Sequence, residues 1–226
     1  MTDLPHSKVA GKNGETGFEL AAEALNDTQD VLAFLRTRRS VVAADIIAPG
    51  PDERQLSHIM EAAVRVPDHG KLTPWRFIIL QDDAKAAYAA LLRRLWLADN
   101  PSAAQDAPVP EADFAVRAPL VITVVSSPRE HPKIPVQEQL LSAGAVCMAL
   151  VNAALACGFA AQWRTGWPAT DERVLHKLGL AAHESIAGFV FIGSRRPDAP
   201  PLTDRRRPFW QHLTSRLDAT AFHEDE

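Results

Sequence analysis

The chain of 226 residues has only two cysteines and none of the short motifs that mark common catalytic sites. It contains no GxGxxG after a predicted strand, no GxxxxGK[ST], no GxSxG, no HExxH and no paired CxxC. These absences argue against a Rossmann dinucleotide site, a P-loop, an α/β-hydrolase nucleophile and a zinc-protease site. The sequence therefore leaves the catalytic residues unknown and does not reveal a nucleophile of its own.

Metal ligation and secretion are equally unsupported. The eight histidines are scattered, and none has the close spacing to Asp, Glu or Cys that a zinc site requires, so we predict no metal. Cys147 and Cys157 lie in an apolar, Ala-rich stretch, which is typical of buried thiols in a reducing, cytoplasmic compartment. Residues 1–28 lack the pattern of a secretory signal, and we expect a flexible tail without an assigned role.

Charge and hydropathy limit the partners. A net charge of −4 and a pI near 6.1 argue against a protein that coats nucleic acid, although a small anionic ligand needs only local basic residues. Residues 140–161 form the one candidate membrane span, but Ser142 and Asn152 interrupt it. A buried helix is therefore favoured over a span, and its small residues suit a central or dimer-interface position.

Periodicity predicts a mixed α and β domain over residues 29–195. Thr28 or Asp30 is the expected cap of a first helix, and Pro51 the expected first residue of a second. Short β-rich runs predict core strands, and helical segments separate them. The predicted strands are 75–80, 120–125 and 186–192, and the other predicted helices are 83–97, 140–161 and 171–178. Residues 100–111 are expected to form a loop or lid, and residues 196–226 a C-terminal arm ending in a short helix.

Three groups of residues suit an anionic, planar, hydroxyl-rich ligand, because guanidinium forks backed by hydroxyls recognise phosphate. The first group is Arg38-Arg39-Ser40, which alone also fits a solvated helix end. The second is Arg65 with His69, in a rigid loop that Pro67 and Pro74 bracket, which alone also fits a surface turn. The third is residues 163–166, Trp-Arg-Thr-Gly, where an exposed arginine beside a turn glycine serves no packing purpose.

Together these groups resemble the flavin-dependent nitroreductase family, in particular its short, single-domain members. Five motifs agree in order and spacing: RRS, the R-x-P-D-H loop ending in PWRF, RAP, SAG and GFAAQWRTG. The resemblance implies a three-layer α-β-α sandwich of the α+β class with a mostly antiparallel central sheet. It also implies a homodimer with one FMN at each of two sites in the subunit interface, and the arm packed on the same dimer.

Transferred by position, the resemblance implies a set of cofactor-binding residues. One group would hold the FMN phosphate and ribityl chain, one would contribute to the same cofactor from either the same or the other subunit, and one would lie along the flavin ring. In that order the residues are Arg38, Arg39 and Ser40, then Arg65 and His69, then Trp163, Arg164 and Thr165. The chain departs from many relatives in having Lys71 where they place Asn. A further phosphate contact is expected from Arg205, Arg206 or Arg207, without a choice among them.

The resemblance implies an FMN-dependent oxidoreductase that takes electrons from NADH or NADPH and reduces nitroaromatic, quinone or similar acceptors by a ping-pong mechanism. The natural acceptor and the preferred donor stay open. A second hypothesis keeps the fold and FMN but changes the reaction to a dehydrogenase, a dehalogenase or a flavin-modifying enzyme. A third is a non-catalytic flavin-binding module, and a fourth is nucleic-acid binding through the Arg-rich arm.

Overall fold

The computed structural model describes residues 6–10, 16–20, 25–26, 28–205 and 207–218. Contacts divide the chain into two compact units, one of residues 1–39 with 200–226 and one of residues 40–199. The boundaries 1–28, 29–195 and 196–226 stay a prediction.

The unit of residues 40–199 contains both helices and strands. The strands are β3 (Ile46–Ile47), β4 (Trp75–Leu80), β5 (Leu120–Ser126), β6 (Ala160–Arg164) and β7 (Ser185–Arg195). The helices are α2 (Glu53–Ala63), α3 (Asp82–Asp99), α4 (Pro110–Arg117), α5 (Val136–Ala156) and α6 (Glu172–Lys177). The three core strands predicted from β-branched and aromatic runs are therefore present, each within a few residues of its predicted ends.

These strands form one five-stranded sheet in which every pairing is antiparallel. β7 is central: β5 pairs along one edge, and β6 and β3 pair in succession along the other. β5 is buried along its whole length, as its apolar sequence predicts. This confirms the predicted α+β class with a central antiparallel sheet.

Alternation of side chains along β7 separates two helical layers. Phe189 and Phe191 pack their rings against Tyr88 of α3 and Phe114 of α4, with centroids 6.1 and 6.4 Å apart. Gly188 lies on the opposite face, against Trp163, whose indole also reaches Gly144 of α5. α5 contacts α2 and strands β5, β6 and β7, so the sheet lies between α3 with α4 and α5 with α2.

α5 is the apolar helix predicted over residues 140–161, and its position differs from that prediction. It begins at Val136 and ends at Ala156, so the SAG motif lies inside the helix, and the last predicted residues belong to β6. Gly158, with φ +84°, lies in the turn between helix and strand. α5 is long and apolar enough to cross a membrane by length and composition, but half of its most apolar window is buried against the rest of the protein.

Three further expectations are corrected. Pro51 is not the first residue of α2, because Asp52 caps that helix in a reciprocal capping box with Gln55. The loop predicted over 100–111 ends earlier, because Pro110 begins α4. Cys157 is exposed at the end of α5, whereas Cys147 is buried, and burial raises the pKa of the Cys147 thiol to about 12.

In the unit of residues 1–39 and 200–226, Asp30 caps helix α1 (Val31–Thr37), and its carboxylate accepts from the Ala33 N–H at 2.7 Å. This confirms one of the two predicted caps. Strands β1 (His6–Ala10), β2 (Thr16–Leu20) and β8 (Arg207–Pro208) form a three-stranded sheet, although the sequence suggested no strand in either terminal segment. The short helix expected near the C-terminus is a 3-10 turn at Trp210–Leu213.

Candidate functional site

Trp163 lies on the α5 side of the sheet, and its indole packs against an irregular part of the β7 backbone. A bulge in the β5–β7 pairing falls at Ala187, and the Ala187 carbonyl accepts from the Trp163 Nε1–H at 3.1 Å. The adjacent Gly188 leaves room for the ring, since a Cβ there would overlap the indole. The indole is therefore fixed while 39% of the residue stays exposed.

Arg164, the next residue of β6, points to the other face of the sheet. Its guanidinium carbon lies 4.8 Å from the centroid of the Phe114 ring, which is a cation–π contact. Phe114 in turn packs edge-on against Phe191. Period-two alternation thus places Trp163 and Arg164 in different layers, so their two side chains do not line a single surface.

The turn after β6 presents two backbone donors. The N–H groups of Thr165 and Gly166 make no hydrogen bond to any part of the chain that the structure describes. Gly166 has φ +82°, a conformation that favours glycine, and its α-carbon faces the carboxylate of Glu111. An exposed turn with two adjacent unpaired N–H groups is a ready site for a hydrogen-bond acceptor.

The loop of residues 65–74 is held by its own motif residues. The Asp68 carboxylate accepts from the N–H groups of Leu72 and Thr73 at 3.0 and 2.8 Å. Ser142 of α5 donates to the Pro67 carbonyl at 2.7 Å and accepts from the Trp75 indole at 3.1 Å. The conspicuous Asp and Trp of this segment therefore shape the loop.

Two residues of this loop bear directly on the predicted site. His69 Nδ1 lies 2.7 Å from Glu138 Oε2, in the first turn of α5, and both side chains are exposed. Arg65 is exposed just beyond the end of α2, and its guanidinium has no partner among the described residues. Arg65 is thus the predicted ligand residue of this loop whose side chain is free to bind an anion.

Gly70 lets the loop pack closely against Ile134. It has φ +71°, and a Cβ there would overlap Ile134. Lys71 also has a positive φ of 54°, a backbone conformation in which Asn is far commoner than Lys. The departure at Lys71 therefore keeps the backbone geometry that an Asn would favour.

Arg38, Arg39 and Arg207 form a positive cluster in the unit of residues 1–39 and 200–226. Burial lowers the pKa of Arg38, and repulsion from Arg207 and Arg39 lowers it further. Arg39 Nε donates to the Thr203 carbonyl at 3.0 Å, and Arg207 pairs with Asp204. Of the three C-terminal arginines considered, Arg207 is therefore the one shown near Arg38, and Arg206 lies outside the described residues.

Ser40 belongs to the unit of residues 40–199. The residue after it, Val41, donates its N–H to the Ala161 carbonyl of β6 at 3.1 Å, and the Ala43 N–H donates to the Gln162 side chain at 2.6 Å. This segment therefore runs beside the strand that carries Trp163 and Arg164. The structure brings Ser40 to that strand, whereas Arg65 and His69 lie on a loop held by the start of α5.

Sequence reasoning missed the residues that support these groups. They lie on α4, α5 and β7, and they are Glu111, Phe114, Glu138, Ser142 and Gly188. Two of them had a sequence signal: Glu111 and Phe114 are three residues apart, the spacing of neighbours on one helix face. That signal required recognising α4. Among the described residues no group of three His, Cys, Asp or Glu is arranged to hold a metal ion.

Comparisons with known proteins agree on one family. A model of the nitroreductase family matches residues 35–194. The provisionally named NAD(P)H nitroreductase YdjA of Escherichia coli strain K12 is 35% identical over 166 residues, which is 73% of this chain and 88% of that protein. A provisionally named NAD(P)H nitroreductase of Haemophilus influenzae is 33% identical over 166 residues, which is again 73% of this chain and 88% of that protein.

Solved structures show the same fold. A nitroreductase-like protein from Bacillus cereus superposes with a TM-score of 0.68 at 16% identity, covering 84% of this chain and 97% of that one. A provisionally named nitroreductase from Desulfovibrio desulfuricans, solved in complex with FMN, superposes with a TM-score of 0.64 at 21% identity, covering 84% and 98%. The family match, the two relatives and the fold lead to one conclusion: the chain belongs to the nitroreductase family.

Proposed function

We propose that this protein binds FMN and transfers electrons from NADH or NADPH to nitroaromatic compounds, quinones or similar flat acceptors in a ping-pong reaction. The observation that carries the proposal is the pair of unpaired N–H groups at Thr165 and Gly166, because the N5 edge of a flavin needs a hydrogen-bond donor. The names of the relatives support the electron donor, and the FMN complex of the Desulfovibrio desulfuricans protein supports the cofactor.

The phosphate of FMN would be held by Arg38, Arg39 and Ser40, with Arg207 as the further basic residue. The arginines fit a dianion because burial, and then repulsion from Arg207 and Arg39, lower the pKa of Arg38, and bound negative charge would relieve that repulsion. Guanidinium groups also suit the geometry of phosphate oxygens. Arg65 and His69 would contribute to the same cofactor from the partner subunit of a homodimer.

The protein's own part in the reaction would be to position FMN and to tune its reduction potential. FMN, when bound, supplies the hydride chemistry itself, so no protein acid or base is required. Thr165 and Gly166 would donate to FMN from the backbone, and the fixed Trp163 indole would limit how a flat molecule lies beside β6. Arg164 would place its positive charge near the pyrimidine end of the ring, where reduction builds up negative charge.

We also propose that the protein is a homodimer, in which α5 lies at the interface. α5 exposes large apolar side chains at Val136, Leu140, Leu141 and Met148, and Leu141 is 67% exposed. Burying such residues against a second copy follows from the cost of apolar surface in water. Sedimentation at working concentration tests this: a folded monomer that retains FMN contradicts the interface site. The free thiols Cys147 and Cys157 suit a reducing, cytoplasmic location.

An anaerobic absorbance titration of the purified protein tests the proposed function. Protein loaded with FMN is treated with NADH or NADPH in separate cuvettes, and then with a quinone or a nitroarene. We expect one or both nucleotides to bleach the flavin band and the acceptor to restore it, with each half-reaction proceeding without the other substrate. That independence is the mark of a ping-pong mechanism.

Other outcomes identify the alternatives. Bound flavin that neither nucleotide reduces contradicts the reductase and favours a dehydrogenase, a flavin-modifying enzyme or a non-catalytic flavin-binding module. Reduction without reoxidation by quinones and nitroarenes retains the donor but rejects these acceptors. Protein that fails to bind FMN at all rejects the cofactor and the whole proposal.

A further inference from the structure

Arg164 has two possible partners on α4, and it contacts only one of them. Its guanidinium lies over the Phe114 ring, 4.8 Å from the centroid. Glu111 precedes Phe114 by three residues and therefore lies on the same face of the helix, with its carboxylate beside Gly166. Yet no ion pair joins Arg164 to Glu111 or to another carboxylate in the portion of the chain that is described, and Glu111 has no cationic partner there either.

Contacts at both ends of α4 fix the positions of Phe114 and Glu111 relative to Arg164. Arg93 of α3 donates to the Ala107 carbonyl at 3.0 Å and lies 3.7 Å from the Asp113 carboxylate. At the other end of α4, the Lys85 ammonium donates to the Ala118 carbonyl at 2.6 Å. Ala112 and Ala115 are buried. The helix thus presents Phe114 and Glu111 to β6 from a fixed position.

We propose that Phe114 is a positioning residue that keeps the Arg164 guanidinium away from Glu111. Held on the ring face, the guanidinium retains its full positive charge beside the turn of Thr165 and Gly166. If it paired with Glu111, the carboxylate would neutralise that charge and also pull the side chain toward Gly166. The inference rests on the proposed function, because the charge that Phe114 preserves is the one assigned to stabilising reduced FMN.

Phe114→Leu tests the proposal through the reduction potential of bound FMN. The variant removes the cation–π contact, so we expect the preference for reduced over oxidised FMN to fall about threefold to tenfold. A tenfold change corresponds to about 30 mV for a two-electron couple. Phe114→Tyr keeps an aromatic face and should retain the wild-type potential. In Phe114→Leu/Glu111→Gln no carboxylate competes for Arg164, so most of the lost potential should return.

Phe191→Leu is the matched control, since it also removes the edge contact between Phe114 and Phe191 but leaves Arg164 untouched. It should lower stability without moving the potential. A Phe114→Leu potential equal to wild type, or one that Phe191→Leu reproduces, overturns the positioning role. Arg164→Ala separates this from the site assignment: if it also leaves the potential unchanged in protein that binds and reduces FMN, Arg164 is not the tuning charge and the inference fails while the proposed function stands.

Discussion

The loop of residues 65–74 and the turn of residues 163–166 carry the two most distinctive motifs of the chain, and they use their side chains in opposite ways. In the loop, Asp68 is bonded to the protein, as is Trp75 directly after it, and the Arg65 side chain has no partner among the residues that the structure describes. In the turn, the Trp163 and Arg164 side chains are both held by the protein, and the N–H groups of Thr165 and Gly166 have no partner among the described residues.

The difference shows how each segment can bind a ligand. An unpaired guanidinium on an exposed loop recognises charge, and it tolerates changes in the position of the ligand. Unpaired N–H groups on a fixed turn recognise an acceptor atom at one place, and they work only if the turn does not move. Changes at the turn should therefore damage both stability and binding, whereas changes at Arg65 should damage binding alone.

Gly188→Ala should have the largest effect, because it acts on the support of the turn. The added Cβ would overlap the indole of Trp163, which must then leave its place and lose its hydrogen bond to Ala187. We expect unfolding free energy to fall by about 3 kcal/mol, as for an overpacked core, and FMN affinity to fall more than tenfold. Chemical denaturation and FMN titration measure the two effects.

Gly144→Ala is the matched control for that change. A Cβ at Gly144 would lie 4.0 Å from the far edge of the same indole, which is an ordinary contact. Since alanine is also the better helix former, this variant should be neutral or slightly stabilising. If both glycine variants lost equal stability and FMN affinity, the packing of the Trp163 indole on Ala187 and Gly188 would not be what fixes the turn.

Arg65→Ala should affect binding and leave the fold intact. Loss of one charge-assisted hydrogen bond should weaken FMN binding by roughly 1.5–3 kcal/mol, with the unfolding free energy unchanged because Arg65 has no intramolecular partner among the described residues. Arg54→Ala, an exposed arginine on α2, is the control and should bind FMN like the wild type. A large loss of stability in Arg65→Ala would remove the contrast between loop and turn.

The sequence predicted the central strands because those features are local, and the three ligand groups stay a prediction. Continuous β-branched runs mark β4 and β5, and an apolar run marks α5. The supports of the site were not predictable, because they depend on long-range pairing. Nothing near Gly188 indicates that a bulge will aim the Ala187 carbonyl at an indole 24 positions away, and α4 starts inside a segment whose Pro and Ala content resembles a loop.

Acid should lower the stability of the fold through Arg76, the arginine of the PWRF motif, which lies in β4 directly after the 65–74 loop. Arg76 makes two hydrogen bonds, of 2.8 and 2.7 Å, to Glu184, whose side chain is only 7% exposed. The hydrogen bond from Arg76 holds the pKa of Glu184 at about 2, below its unfolded value of about 4.3. The pair therefore stabilises the fold above about pH 4.3, and this contribution is lost as the pH falls toward 2.

Glu184→Gln should remove that dependence. We expect the variant to lose about 1–2 kcal/mol of unfolding free energy at pH 7, and the difference from wild type to shrink steadily between pH 4 and pH 2. Denaturant titrations at several pH values measure it. A difference that stays constant over this range would show that the Glu184 carboxylate contributes packing and not charge.

Asp68→Asn should produce the smallest effect and define the contrast most sharply. The Asp68 carboxylate accepts from both Leu72 and Thr73, whereas an amide has one acceptor oxygen and leaves one of these N–H groups unpaired. We expect a loss of about 1 kcal/mol in stability and at most a few-fold loss in FMN affinity, because a charge-recognising arginine tolerates a looser loop. Asp106→Asn, in the exposed segment before α4, is the control and should change neither quantity. If Asp68→Asn instead abolished FMN binding, the loop would have to hold Arg65 as strictly as β7 holds Trp163, and both segments would then be fixed binding elements of one kind.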